Sequence, residues 1–257
     1  MQQLSTFEIL LQFFFGLLPT FVLIGGIALI WFRGKRSNEK FVRKTLLQLE
    51  EYFSPIATEF IEANKSASGY TYRLTLKRPT EENEIIKDIR QIRIHFSLED
   101  RHTVLTFLKL IFKSPKDYFI IEGDPTIKND HLKIEIADVF SFSKYELEKI
   151  QEEWVGMVDF EPRSKFSSKF YHKTNKEKAL QFLYNSQPDL KKYIYNLKGL
   201  YRISVKRKEE WCFRIALVID KKDDKQFLIA REIALKMIKG LSDTNRAIIK
   251  QPKRLIG

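Results

Sequence analysis

The sequence predicts an α+β fold: one N-terminal transmembrane helix, then a cytosolic domain whose mostly antiparallel sheet is backed by helices. Three observations predict it. From Ile9 to Phe32 the chain carries no formal charge. Beyond it, short runs with apolar side chains at every second position come in pairs joined by polar turns, the pattern of half-buried strands. Between and after those pairs lie amphipathic stretches of helical period, without the regular alternation that a parallel sheet requires.

Taken in order, the uncharged run would form about 36 Å of helix, enough to cross a hydrocarbon core of about 30 Å. Its rivals are a buried core helix and a cleaved signal peptide. The opening "MQQLSTFE" has no Lys or Arg, which a signal peptide needs at its start. Arg33, Lys35, Arg36, Lys40, Arg43 and Lys44 follow the run instead, and cytoplasmic flanks carry the basic excess. The expectation is therefore an N-terminus that is outside or lumenal, with residues 33–257 in the cytosol. Trp31, Arg33, Lys35 and Arg36 are the expected membrane-interface residues. Pro19 and Gly25–Gly26 fit either ordinary tolerance in lipid or a docking face for a neighbouring helix.

"SNEKFVRKTLLQLEEYF" (37–53) has helical spacing with Ser37 or Asn38 as N-cap, and "IATEFIEAN" after Pro55 reads as a second short helix. Strands follow in "YTYRLTLKR", in "IRQIRIHFSL" with Ile92, Ile94, Phe96 and Leu98 on one face, and in "YFIIEG" and "LKIEIADV". "EDRHTVLTFLKLIF" (99–112) has helical period. "SKYELEKIQEEW" is an amphipathic helix capped by Ser143, and "KEKALQFLYNSQ" a helix capped by Thr174. Between them "GMVDFEPRSKFSSKFYHKTNK" reads as irregular. "PDLKKYIYNL" opens with proline, as first helical turns prefer. "LYRISVK", "WCFRIALVI" and "DKQFLIAREIALKMIKGL" read as strand, strand and helix. The domain expectation is an anchor over 1–32, a basic linker and arm over 33–66, an α+β domain over 67–245 (two lobes would divide near 156–176), and a basic tail over 246–257.

The formal net charge is +12 with one Cys and four His. A lone Cys212 excludes an internal disulfide framework and suits a reducing compartment. His95, His102, His131 and His172 form no HxxxH or HExxH spacing, and their ordinary reading is surface histidine. Glu122, Asp124, Asp130, Glu135 and Asp138 gather around strands, as in a metal-dependent nuclease, but Asp-Pro and Asn-Asp pairs also build turns. There is no glycine-rich phosphate loop and no GxSxG. The expectation is a protein that is not an enzyme and needs no metal or cofactor.

Positive charge does have a pattern. Arg163, Lys165, Lys169, Lys173, Lys176 and Lys178 interleave with Phe166, Phe170 and Tyr171. A second cluster includes Lys206, Arg207 and Lys208, and a third Arg246, Lys250, Lys253 and Arg254. Together these are the expected polyanion-binding residues, since Lys and Arg displace counterions from phosphates and aromatics offer stacking faces. Anionic lipid would suffice for those nearest the bilayer.

The order of parts carries a resemblance. A span, the linker "WFRGKRSNEK", and the segments "IRIHFSLEDRHTVLTFLKLIF", "HLKIEIADVFSFSKYELEKIQEEW" and "WCFRIALVIDKKDDKQFLIAREIALKMI" follow one another. This series resembles the calumin family, the coiled-coil-domain-containing subunit of the PAT complex that works beside the Sec translocon. The resemblance covers most of residues 20–245 in pattern and order, with no short invariant motif. It implies a non-enzymatic biogenesis factor for multipass membrane proteins. Its partners would be the ribosome (through ribosomal RNA), the Sec translocon and a small membrane protein, with multipass membrane proteins as clients. The membrane would be the endoplasmic reticulum of a eukaryote or the plasma membrane of a prokaryote. Calumin-like proteins carry a long acidic lumenal segment and a long terminal coiled coil that this sequence lacks, so contacts made by those parts do not transfer. The second expectation is a membrane-tethered adaptor binding anionic lipid or an acidic protein.

Overall fold

The computed structural model describes residues 6–66, 68–81, 84–98, 116–126, 132–138, 142–159, 170–206, 212–220, 222–223 and 225–250. The chain begins with one helix, α1 (Thr6–Phe53). This corrects the expected division into span, linker and separately capped arm. Between Gly34 and Phe53 the sequence has neither Gly nor Pro and is rich in Lys, Arg, Glu and Leu, strong helix formers that propagate the helix already begun upstream. Asn38 is not a cap but a fully buried residue within the helix.

The two halves of α1 have opposite surroundings. An 18-residue window with mean hydropathy 2.1 is long and apolar enough to cross a membrane, and 0% of it is buried. The core helix of a domain is mostly covered by that domain; this half of α1 is not. Farther along, Val42, Leu49 and Phe53 are buried at spacings of seven and four, the inward stripe of an amphipathic helix.

α1 stops at Ser54–Pro55, and the chain turns into β1 (Ala57–Lys65). The expected second helix is thus a strand. Its Glu and Ala residues favour helix, but pairing with β2 (Gly69–Leu76) overrides that preference. As an edge strand it is exposed on most positions, so it lacks the alternation that would have marked it. A short 3₁₀ turn (Glu84–Asp88) leads to β3 (Ile89–Ser97), then come β4 (Tyr118–Pro125) and β5 (Ile134–Asp138). Residues 99–112, expected as a helix, lie outside the described residues. Helix α2 (Lys144–Glu153) begins as expected at Ser143, in a capping box in which Ser143 and Glu146 bond reciprocally.

The stretch expected to be irregular contributes two strands, β6 (Val158–Asp159) and β7 (Phe170–Thr174). Thr174 is therefore not the cap of α3 (Glu177–Ser186); it ends β7, and its hydroxyl accepts from the Lys176 amide at 3.1 Å. Helix α4 (Leu190–Asn196), strands β8 (Leu200–Val205) and β9 (Phe213–Val218), and helix α5 (Gln226–Lys250) complete the order. Gly199, at φ +71°, makes the turn into β8; a Cβ there would meet the Val218 carbonyl oxygen at 2.4 Å. The expected boundary at 245–246 falls inside α5, which continues to Lys250.

Among the described residues the strands form one sheet in the order β1-β2-β3-β4-β9-β8-β5-β7-β6, and every pairing is antiparallel. The described strands of the 156–176 region, β6 and β7, pair with each other at its far edge. One face is apolar. Register aligns Ile94, Ile121, Ile215 and Ile203 across four strands, and each is fully buried. α5 covers this face, with Phe227 at 4.9 Å from Phe119 between ring centroids. The arm joins the same core through Phe41, 6.5 Å from Phe96. Each large apolar side chain removed from water contributes about 1.5–3 kcal/mol, so α1 is held as part of the domain.

Candidate functional site: a fused arm and a charged cleft

The opposite face of the sheet, reached by the alternate side chains, carries polar groups across its middle and a small apolar cluster of Ala137, Ile150 and Trp154 under α2. A row of side chains crosses it. Thr71 Oγ1 lies 2.9 Å from His95 Nδ1, and His95 Nε2 lies 2.8 Å from Glu122 Oε2. A carboxylate only accepts, so Nε2 donates. Arg214 Nε stands 3.4 Å from the other Glu122 oxygen. Farther along, Glu135 accepts from Arg202 at 2.8 and 3.0 Å and from Ser204 at 2.7 Å. Glu153 of α2 accepts from Arg202 and from Lys206, each at 2.7 Å.

A cleft of about 470 Å³ opens along this row, between α2 and strands β4, β9 and β8. Its charged lining is Glu146, Glu153, Arg202, Lys206 and Arg214. Burial pushes the Glu153 carboxyl up, but hydrogen bonds from Lys206 and Arg202 outweigh it and bring it down to about 2. Burial likewise raises Glu122, yet the His95 hydrogen bond and the charges of His95, Arg214 and Arg93 hold it below the usual carboxylate range. Glu146 is lowered chiefly by the Ser143 hydroxyl and backbone. General acid–base work near neutral pH needs a group titrating there; Glu122, Glu146 and Glu153 are all shifted the other way, Glu122 and Glu153 by neighbouring basic side chains and Glu146 by Ser143.

The four histidines are expected at the surface. His172 is instead buried, 4% exposed, with Nε2 at 2.5 Å from the Tyr184 hydroxyl, and His95 is half-buried in the polar row. His102 and His131 lie outside the described residues. Asp124 is buried beside Arg90 at 3.7 Å. Among the described residues no three His, Cys, Asp or Glu side chains converge as a metal site would require. Cys212 is buried and, as the one cysteine of the sequence, forms no internal disulfide.

Five of the twelve expected polyanion-binding residues lie among the described residues. Lys206 is tied to Glu153, and Arg246 pairs with Asp88 at 2.5 Å and Asp243 at 3.7 Å. Lys173 lies with its Nζ 5.9 Å from the Trp154 ring. Lys176 precedes α3, half-buried. Lys250 ends α5. Arg163, Lys165, Lys169, Arg207, Lys208, Lys253 and Arg254 lie outside the described residues.

The interface residues divide between two sides of α1. Trp31 and Lys35, one turn apart, stack at 5.2 Å on the side that, farther along, enters the core. Arg33 and Arg36 sit on the outer side, exposed. They continue into Lys40, Arg43 and Lys44, also exposed, at steps of three, four, three and one that keep all five on one helix face. Buried Asn38, Val42, Thr45 and Leu49 occupy the opposite face. Sequence reading uses these cations only to orient the span; the signal for a stripe is their helical spacing, which the assumed linker conceals. On the core side, Lys65 of β1 reaches back to Glu39 at 3.4 Å, so the β1–β2 turn returns toward the apolar half of α1.

No family model matches the sequence, and no curated protein is significantly similar to it.

Proposed function

We propose that the chain is a single-span, non-enzymatic membrane-protein biogenesis factor: a cytosolic docking domain held against the bilayer, where it meets the ribosome and the Sec translocon and assists insertion of multipass clients. The observation that carries this reading is the unbroken α1, whose exposed apolar half continues into a half buried in the domain core. A hinge at residues 33–38 would let a tethered enzyme search its surroundings; a helix fused at both ends fixes the height and azimuth of a docking surface. The basic flank after the apolar half supports the cytosolic placement, and a cleft of mutually neutralised charges supports a role without catalysis. The resemblance in order of parts supplies the ribosome and translocon as partners.

The test uses the full-length protein in native membranes. Site-specific crosslinkers in the apolar half of α1 and on its exposed cytosolic face should capture translocon and ribosomal proteins, and detergent-solubilised protein should sediment with ribosomes. A C-terminal domain that resists protease added outside intact, cytosol-out vesicles overturns the reading. So does complete absence from ribosomal pellets at low salt.

A further inference from the structure

We infer that the outer face of α1 beyond the membrane, Arg33–Arg36–Lys40–Arg43–Lys44, is an RNA-backbone docking rail, with Lys40, Arg43 and Lys44 as its phosphate contacts. The inference rests on the proposed membrane placement and names the surface that the ribosomal reading leaves open.

Three observations carry it. All five side chains are exposed, and none has an ion-pair partner among the described residues. This is unlike Lys206, Arg202 and Arg246, which hold the domain together. The face points away from the packed side of the helix, so the domain does not cover it.

Axial distance decides which polyanion. Lys40, Arg43 and Lys44 lie about 12 to 18 Å beyond Phe32 along the helix. The headgroup layer is about 5–8 Å thick on each side of the hydrocarbon, and a tilt near 20° shortens the distance by under a tenth. Arg33 and Arg36 fall within reach of lipid headgroups; the other three stand past them. The side chains between the cations decide against an acidic protein. From Arg33 to Lys44 the face carries only Arg, Arg, Ser, Lys, Arg and Lys, with no apolar anchor before Leu47. Protein interfaces draw their energy from desolvated apolar and aromatic anchors, whereas phosphate contacts need only placed cations.

The test uses full-length protein in nanodiscs of phosphatidylcholine alone, titrated with a fluorescein-labelled RNA hairpin over a range of salt. Lys40→Glu/Arg43→Glu/Lys44→Glu should weaken binding by about tenfold or more and flatten the salt slope by about three. The milder Lys40→Gln/Arg43→Gln/Lys44→Gln variant should show a smaller loss in the same direction. Lys222→Glu/Lys225→Glu/Lys239→Glu, an equal charge change at exposed body positions, should stay within about threefold. Equal losses in the two reversal variants would reduce the effect to net charge and overturn the rail. So would unchanged RNA binding combined with lost affinity for phosphatidylserine vesicles, which would assign the face to lipid. If the wild type binds RNA through the rail but never sediments with ribosomes, the ribosomal reading fails and the rail stands. If it sediments and the rail variants do so equally, the rail alone fails.

Discussion

The cations of the body and the cations of the arm are the same residue types doing opposite things. In the body, Arg202 and Lys206 are mostly covered and locked to Glu135 and Glu153; their charge is consumed within the fold. On the arm, Lys40, Arg43 and Lys44 stand exposed with no acidic side chain in bonding range among the described residues. A positive cluster in a sequence therefore does not locate a positive surface. What separates the two cases is whether neighbouring strands bring carboxylates to the same face.

The sharpest way to test the body half of this contrast is Glu135→Ala. Glu135 is 3% exposed and accepts two bonds from Arg202, so its loss strands a largely buried guanidinium. Breaking one side of such a pair costs about 3–5 kcal/mol, while replacing both partners with apolar residues of similar size is near neutral. Urea unfolding should show the full loss for Glu135→Ala and recovery of most of it in Glu135→Met/Arg202→Leu. A single-variant cost below about 1 kcal/mol would mean that the body pair is as dispensable as a surface one, and the contrast would collapse.

Acid gives a gentler probe. The folded Glu153 titrates at about 2, against an ordinary value of 4.5, so its contribution is complete above about 4.5 and is lost as pH falls toward 2. Glu122 and Glu146 shift in the same direction and add to the loss in that window. Glu153 is 47% exposed, which screens its pairs to about 1 kcal/mol. Thermal midpoints of wild type and Glu153→Gln should therefore differ by a few degrees at neutral pH and converge as pH drops through the window. Curves that stay parallel would show that the Arg202–Glu153–Lys206 cluster contributes no pH-dependent stability.

The same contrast explains what is legible in advance. The apolar face is legible because alternation reports burial directly: it places Ile92, Ile94 and Phe96 inward, and all three are buried. Ser143 is legible as a cap because the capping box is local, complete within four residues. β1 is not, because an edge strand is defined by a partner rather than by its own periodicity. β7 is hidden for a related reason: it is five residues long, too short to display a pattern. The ion pairs are the least legible. Arg202 and Glu135 are 67 residues apart and meet only through the β5–β8 register, while Arg246 finds Asp88 across 158 residues. No local rule foresees such meetings, so charge counting assigns these residues to a surface they only partly occupy.

Arg246 tests that assignment at lower amplitude. Its side chain is 48% exposed while Asp88 is 10% exposed, so the pair pins α5 to the 3₁₀ turn without being fully dry. Arg246→Met should cost about 1 kcal/mol in urea unfolding and change RNA-hairpin affinity by less than about twofold. A larger effect on binding than on stability would return Arg246 to the surface that sequence reading gives it.

The smallest expected effect is the most discriminating, because its sign is unusual. On α1, Lys40 sits one turn from Arg36, Arg43 and Lys44, a run of like charges at helical neighbour spacings. Each such pair opposes the helix by about 0.2–0.5 kcal/mol. Lys40→Glu converts three repulsions into attractions, and the introduced carboxylate, four residues ahead of Lys44, has the favoured orientation. The variant should stabilise the arm by roughly 0.5–1 kcal/mol, read as slower amide exchange over residues 36–48, while weakening RNA binding. Stability and binding would then move in opposite directions at one position, which a merely solvated helix face has no reason to do. If Lys40→Glu leaves both unchanged, the arm cations are ordinary surface charge and differ from those of the body only in lacking partners.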